Sequence, residues 1–256
     1  MIIGTHIQKK KAFYPSLKKF YDNSENLKRP CQIFTGSPKF WRRPALDPSD
    51  VVSTQKFINE HNLYVYVHSI YLCNLCKPPQ EFNEKAHICL KWELETGMLM
   101  GFRGVVVHCG KSLKMPLELA LNNMYENMCN LLQYICPTCP LLLETSSGQG
   151  SETLFQYDDF SKFYNRFTKE EKKKIKICID TCHVFAAGHD PLEFIEKWHN
   201  DHPNTLVLVH YNDSQECCGG KRDRHAVPGE GHIGIEKMND IALWCKRQNI
   251  PMVLEN

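Results

Sequence analysis

No apolar run in this chain approaches the roughly 20 residues that a bilayer-spanning helix requires, so no membrane association is expected. Charge of one sign is not in excess: 31 Lys and Arg stand against 29 Asp and Glu, a formal net charge of +2. Proteins that hold nucleic acid are often plainly basic, so bulk charge does not advertise such a partner, although the count omits any bound metal. The start, MIIGTHIQKKKAF, places its basic run after a very short apolar one, the wrong order and length for a secretory signal. The thirteen cysteines are therefore expected as reduced thiols in an intracellular setting, and their odd number excludes a complete disulfide framework. Long linkers, low-complexity tracts and internal repeats are also missing, which predicts a single domain over residues 1–256.

What is present is an ordinary globular composition on a chain long enough for one α/β barrel of about 250 residues. Short apolar, β-branched runs recur at 2–6, 31–35, 63–68, 104–108, 140–144, 175–180, 206–210 and 251–255. Between them, helices are predicted over 47–62, 84–100, 116–134, 158–167, 191–199 and 235–248. In 116–134 the apolar residues Leu117, Ala120, Leu121, Met124, Met128 and Leu131 share one face. Strands alternating with helices imply parallel pairing through right-handed crossovers. Eight such units predict an α/β fold closed as a (β/α)8 TIM barrel rather than an open doubly wound sheet.

The predicted strands end in residues of coordinating type: His6, His68, His108, Glu144, Asp180, His210 and Glu255. In such a barrel the carboxyl ends of the strands converge on one face, and that face holds the active site. One histidine at a strand end is more often a satisfied core or surface residue than a ligand. Seven strand ends of this kind are different, because charges gathered at one dry point need metal or protons to coexist. The segment 178–190, CIDTCHVFAAGHD, adds His183 three residues after Asp180. An N-cap aspartate and a surface histidine would account for that pair alone, but oxygen and nitrogen donors also suit zinc or manganese. Asp223 and His225, two apart, point the same way in extended chain, and Pro228-Gly229-Glu230-Gly231 keeps their segment a loop. Joined to the strand tips, they fit a multi-metal cluster.

These residues lie in longer blocks: His68-Ser69-Ile70-Tyr71-Leu72, Val107-His108, Leu143-Glu144-Thr145 with Gly148-Gln149-Gly150-Ser151, the 178–190 segment, Val209-His210-Tyr211-Asn212-Asp213, Asp223-Arg224-His225 with Gly229-Glu230-Gly231, and Val253-Leu254-Glu255. The set resembles endonuclease IV, the metal-dependent apurinic/apyrimidinic (AP) endonuclease family of base-excision repair, from the first strand to the last residue. The resemblance implies a xylose isomerase-like barrel with three divalent ions, zinc first and manganese second. His68, His108 and Glu144 would hold one ion. Glu144 would bridge to another, shared with Asp180 and His210 and completed by Glu255. His183, Asp223 and His225 would hold the third, and His6 matches a position outside this set. Four carboxylates carry −4 and three divalent ions +6, so the five neutral imidazoles leave the centre near +2, suited to a phosphate. The implied reaction is hydrolysis of the phosphodiester 5′ to an abasic site in duplex DNA, leaving 3′-hydroxyl and 5′-deoxyribose phosphate ends. Glu144 and Glu255 would orient the attacking hydroxide, and a 3′-phosphodiesterase action on blocked 3′ ends would accompany incision by a monomer.

For DNA contact, the resemblance implies Tyr71 and Leu72 as a wedge entering the duplex at the lesion. Lys39 and Arg224 belong to basic clusters in the predicted top-face loops, with Lys9, Lys10, Lys11, Arg42, Arg43, Lys221 and Arg222. Lys172, Lys173 and Lys174 precede the sixth strand and read as solvated lysines of the opposite face. Departures from the family are visible. Lys39 stands where an Arg is usual and Phe40 where an amide is common, and Lys offers no planar fork. The segment after His6 lacks the usual small-residue run, and the chain stops at Asn256 where the family continues, so no final helix is expected after the eighth strand. Two Cys-x-x-Cys pairs, Cys73/Cys76 and Cys136/Cys139, fall at opposite ends of the predicted barrel, which speaks against one shared zinc site. The rival readings are a sugar isomerase of the related metal-dependent barrel type and a damaged-DNA binding module without catalysis.

Overall fold

Eight short parallel strands close into a barrel in the computed structural model, which describes residues 3–24 and 29–255. They are β1 (Gly4–Ile7), β2 (Cys31–Phe34), β3 (Val65–His68), β4 (Val105–His108), β5 (Leu141–Glu144), β6 (Ile175–Asp180), β7 (Leu206–His210) and β10 (Met252–Leu254). The order around the barrel is β1-β10-β7-β6-β5-β4-β3-β2. A two-stranded hairpin, β8 (Asp213–Ser214) with β9 (His225–Ala226), stands apart from it. Each predicted strand is present, two with the predicted bounds and the others shifted by one or two residues at one or both ends, β1 running on to Ile7; Ile2 of the first lies outside the described residues. The expectation about a final helix concerns chain from Asn256 onward, also outside them.

Strand parity decides what faces the barrel axis. Tyr66, Val106, Leu142, Cys178, Leu208 and Val253 form one buried layer. Side chains two residues on point to the same side, and those are His68, His108, Glu144, Asp180, His210 and Glu255. The alternate residues, such as Val65, Val67, Val105, Val107, Leu141 and Leu143, join the main core beneath the helices. Register brings the tips level: His108 lies beside Glu144 and Asp180 beside His210. At Gly4 the backbone of β1 runs so close to the Pro30 carbonyl that a Cβ would collide with it.

The outer helices are α1 (Phe13–Asn23), α2 (Pro48–His61), α3 (Pro79–Met100), α4 (Leu117–Leu131), α5 (Tyr157–Tyr164), α6 (Glu171–Lys174), α7 (Thr181–Ala186), α8 (Pro191–Asp201) and α9 (Ile235–Gln248). Helix α9 matches its predicted bounds, while α3 begins five residues before the predicted 84, at a proline suited to a first helical turn. Helix α1 is absent from the sequence expectation. Only Phe13 and Leu17 are buried along it, and its first N–H groups are capped from α2, where the Asp50 carboxylate accepts from Phe13 N and Tyr14 N at 2.8 Å each. Among the described residues, no helix is long and apolar enough to cross a membrane, and every cysteine is a free thiol.

Candidate metal centre

At the carboxyl end of the barrel, His68, Tyr71, His108, His183, Asp223, His225 and Glu255 line a cavity of about 280 Å³. All nine residues predicted as ligands gather at this point and fall into three groups, within each of which the donor atoms lie within 4.8 Å of one another; a fourth such group, Asp180, Cys182 and His225, links the second and third. The three are His68, His108 and Glu144; Glu144, Asp180, His210 and Glu255; and His183, Asp223 and His225. Five of the nine reach it as strand tips, and Glu255 follows directly on β10. Helix α7 delivers His183, and the β8–β9 hairpin delivers Asp223 and His225.

The hairpin is held by Asp213, whose carboxylate accepts from the backbone N–H groups of Gly229 at 2.9 Å, Gly231 at 3.1 Å and Ile233 at 2.9 Å. A side chain on Gly231 would collide with that carboxylate and with the Ser214 carbonyl, which explains the glycine. Asp180 does two things. Its Oδ1 accepts from His183 N at 2.8 Å, capping α7, while its Oδ2 accepts from Asn212 at 2.6 Å and lies 3.6 Å from His225 Nε2. The N-cap reading and the ligand reading of this aspartate use different oxygens.

Hydrogen bonds decide which imidazole nitrogen is free. His68 Nδ1 donates to the Ser69 carbonyl at 2.7 Å, and His183 Nδ1 donates to the Thr145 carbonyl at 2.8 Å. A carbonyl only accepts, so both rings carry their proton on Nδ1 and turn Nε2 inward. His68 Nε2 then lies 3.4 Å from Glu144 Oε2, and His183 Nε2 lies 3.2 Å from Asp223 Oδ2. His210 is reversed: its Nε2 donates to Gln32 Oε1 at 2.8 Å. Its Nδ1 faces three carboxylates, 3.0 Å from Glu144, 3.1 Å from Glu255 and 3.8 Å from Asp180. Glu144 Oε2 and His183 Nε2 are buried with no hydrogen-bond partner among the described residues. Inward lone pairs opposite carboxylate oxygens repel unless a cation sits between them, so this donor set fits divalent metal. The outer-side hydrogen bonds are of the kind that orient metal-binding imidazoles.

Without metal, protons compensate. Burial opposes charge on His183 and His210, but Asp180, Asp223 and Glu144 around the first, and Cys178, Glu255 and Glu144 around the second, hold both well above the usual imidazole range. Burial likewise pushes Glu144 up, and the charges of His108 and His210 outweigh it, leaving this carboxyl well below its ordinary range. Burial raises Asp180, and it lowers His6, outside the cluster, to about 4.

Of the DNA-contact candidates, Tyr71 lines the cavity, Leu72 follows it in the chain, Arg224 lies between the lining residues Asp223 and His225, and Lys39 follows Pro38, whose carbonyl Tyr71 contacts. Tyr71 is 58% and Leu72 41% exposed, on a loop whose Tyr71 N donates to the Pro38 carbonyl at 3.3 Å. Lys39 and Arg224 are exposed, and Phe40 next to Lys39 is 67% exposed. Arg43 requires a correction. It does not face solvent: its guanidinium bonds Glu93 and Thr35 at 3.2 Å each and donates to the Ser37 and Phe40 carbonyls. The sequence showed a basic run; the structure spends one member of it on a buried carboxylate. Lys172, Lys173 and Lys174 lie in α6 at the far end of β6. No candidate ligand group among the described residues includes Cys73, Cys76, Cys136 or Cys139.

Gln32 and Asn212, both fully buried, were missed as site residues. Asn212 donates to Asp180 at 2.6 Å and to Glu255 at 3.1 Å. For Gln32 a signal existed: an amide at an inward position of the otherwise apolar run Cys31–Phe34.

Comparison with known proteins accords with this architecture. Residues 31–255 match the family described as xylose isomerase-like TIM barrel. A probable endonuclease 4 of Symbiobacterium thermophilum is 30% identical over 265 residues, covering 100% of this chain and 92% of that protein. A putative endonuclease 4 of Acanthamoeba polyphaga mimivirus is 29% identical over 238 residues, covering 88% and 76%. Among solved structures, endonuclease IV from Thermus thermophilus aligns with a TM-score of 0.83 at 26% identity, covering 99% of this chain and 91% of that one. A D-tagatose 3-epimerase-like protein, at 16% identity and a TM-score of 0.73, shares the fold alone. With the matched barrel spanning nearly the whole chain, this protein belongs to the endonuclease IV family of DNA-hydrolysing enzymes.

Proposed function

We propose that the chain is a three-metal AP endonuclease of base-excision repair, acting as a monomer on duplex DNA. It cuts the phosphodiester 5′ to an abasic site, leaving a 3′-hydroxyl and a 5′-deoxyribose phosphate, and it also clears blocked 3′ ends. His68, His108 and Glu144 would hold one ion, Glu144, Asp180, His210 and Glu255 a second, and His183, Asp223 and His225 a third. Mixed imidazole and carboxylate donors suit zinc, with manganese the alternative. Such ions supply an activated water at neutral pH and offset charge on the attacking and leaving oxygens.

One observation carries this reading: outward hydrogen bonds from one ring nitrogen of His68, His183 and His210 turn the other nitrogen of each ring toward the carboxylates of the centre. The chain's own residues then divide the work. Glu144 offers one oxygen toward His68 and His108 and the other toward His210, spanning two groups. Glu255, fixed by Gln32 and Asn212, lines the cavity and orients the attacking water. Thiol attack is not needed and is disfavoured, since burial pushes Cys178 and Cys182 up to about 12. Lys9, Lys10, Lys11 and Arg42 line a neighbouring groove of about 870 Å³ whose Phe34 packs against His68 and Tyr71 of the centre, a track for backbone phosphates together with Lys39 and Arg224. Tyr71 and Leu72 fill the gap beside a lesion that is cheap to flip because it lacks a base.

A sugar isomerase needs two metals and leaves His183, Asp223 and His225 without work; a non-catalytic DNA-binding module would be expected to have lost a ligand, and none is lost. The deciding assay is cleavage of an abasic-site duplex with and without chelator, with the ends identified by mass. A 3′-hydroxyl and 5′-deoxyribose phosphate are expected, abolished by chelation; an unsaturated 3′ aldehyde, the product of elimination, refutes hydrolysis.

A further inference from the structure

We propose that Gln32 is a positioning residue that sets the metal-facing state of His210 and the orientation of Glu255, and so governs affinity for the ion these two share with Glu144 and Asp180. The inference rests on the metal-centre reading above. Gln32 is fully buried in β2, and its amide makes three side-chain contacts. Its Nε2 donates to Glu255 Oε1 at 2.6 Å and lies 3.2 Å from His6 Nδ1, while its Oε1 accepts from His210 Nε2 at 2.8 Å.

The orientation of this amide follows from its partners. An ionised carboxylate only accepts, so the atom 2.6 Å from Glu255 is the amide nitrogen. The oxygen must therefore face His210, which keeps a proton on Nε2 and makes Nδ1 the nitrogen turned toward Glu144, Glu255 and Asp180, free to take an ion there. The amide's other hydrogen points to His6 Nδ1, leaving that ring's proton on Nε2. One side chain thus orders imidazoles on β1 and β7 and a carboxylate just past the end of β10. His68 and His183 obtain the same service from backbone carbonyls, which substitution cannot remove. Of these three imidazoles, His210 is the one at which this arm is separable by mutation.

The test uses Gln32→Leu, which keeps the shape and removes both functions, and Gln32→Glu, which keeps an acceptor for His210 but removes the donor to Glu255. Zinc affinities of the metal-stripped full chain are measured by competition with a chromophoric chelator at one fixed pH, alongside urea unfolding. The His210 imidazole is followed by 15N–1H correlation in the zinc-loaded protein. In Gln32→Leu, one of three ion classes is expected to weaken roughly 10- to 100-fold while the others keep wild-type affinity, and the His210 Nε2–H loses its hydrogen-bonded shift. Gln32→Glu is expected to retain that shift. If Gln32→Leu does not fold, Gln32→Met is read in the same way. Unchanged affinity for every class in a folded variant overturns the inference, as does equal weakening of all three together with lost stability. If the wild type binds no ion at all, the proposed function fails and this inference with it; wild-type binding with an unaffected variant sinks the inference alone.

Discussion

Glu144 is the residue on which the centre turns, because its two oxygens face different sets of imidazoles: His68 and His108 at 3.4 and 3.2 Å, and His210 at 3.0 Å. Glu144→Ala removes a donor from two groups at once and should lower cleavage of an abasic duplex by roughly a thousandfold or more, several kcal/mol of transition-state stabilisation at about 1.36 kcal/mol per tenfold. Metal analysis of the purified variant should show fewer ions than the wild type; full occupancy with full activity contradicts the assignment. The same groups set a pH dependence in the metal-stripped protein. His183 and His210, raised above the ordinary 6.5, contribute stability that is complete below about pH 6.5 and fades as pH rises through their folded values. The depressed Glu144, Asp223 and Glu255 contribute stability that is complete above about pH 4.5 and fades as pH falls through theirs. Urea midpoints of the stripped protein should therefore be highest between about pH 5 and 6.5 and decline toward pH 8, whereas zinc-loaded protein should gain toward pH 8 because zinc displaces those protons. A stripped protein that gains stability from pH 6 to pH 8 excludes protonated imidazoles in this cluster.

Between β2 and α2, the loop is organised from inside by Arg43. Its guanidinium holds the Ser37 and Phe40 carbonyls while paired to Glu93, whose carboxyl burial raises well above its usual range. Removing one partner of such a pair strands the other. Arg43→Ala should cost about 3 kcal/mol in urea unfolding, and Arg43→Met with Glu93→Leu should recover most of it, because an apolar pair of similar volume has no desolvation cost to offset. An Arg43→Ala variant as stable as wild type would show that the pair contributes nothing. The loop's outer residues, Lys39 and Phe40, leave their side chains exposed above this network.

For the whole molecule, a net charge of +2 conceals an uneven distribution. The acidic groups of the centre are paired with imidazoles, while lysines and arginines line the neighbouring groove and the exposed Tyr71 lines the cavity, with the exposed Leu72 next to it in the chain. Duplex engagement should therefore separate into an ionic part that weakens with salt and an apolar part that does not. A Tyr71→Ala, Leu72→Ala double variant should keep its metals and fold but bind an abasic duplex more weakly, by roughly 1–3 kcal/mol per lost stacking contact, with its salt slope unchanged. Lys39→Arg should act oppositely, raising affinity most at high salt. Titrations on lesion and intact duplexes at two salt concentrations measure both; wild-type binding by the double variant removes the wedge role.

The barrel and the donor-bearing residues at its mouth were legible in the chain because both are local patterns. Apolar runs of four to six residues ending in His, Asp or Glu identify strands and their tips, and strand parity then turns the tip residues toward one axis. Helix α9 matched its predicted bounds because its periodicity and its positive-φ cap at Asn249 are contained in its own sequence. What proved illegible depended on partners far along the chain. Helix α1 starts where Asp50, 36 residues beyond Tyr14, caps it. Arg43 looks like any surface arginine until Glu93, 50 residues away, is brought beneath it. The role of Gln32 requires His6, Glu255 and His210, separated from it by 26, 223 and 178 residues. Residue type and spacing determined which donors arrive at the mouth of the barrel; only the closed sheet decided which nitrogen of His183 and of His210 faces inward, because that choice is made by hydrogen bonds to Thr145 and Gln32, 38 and 178 residues away, that no local pattern records.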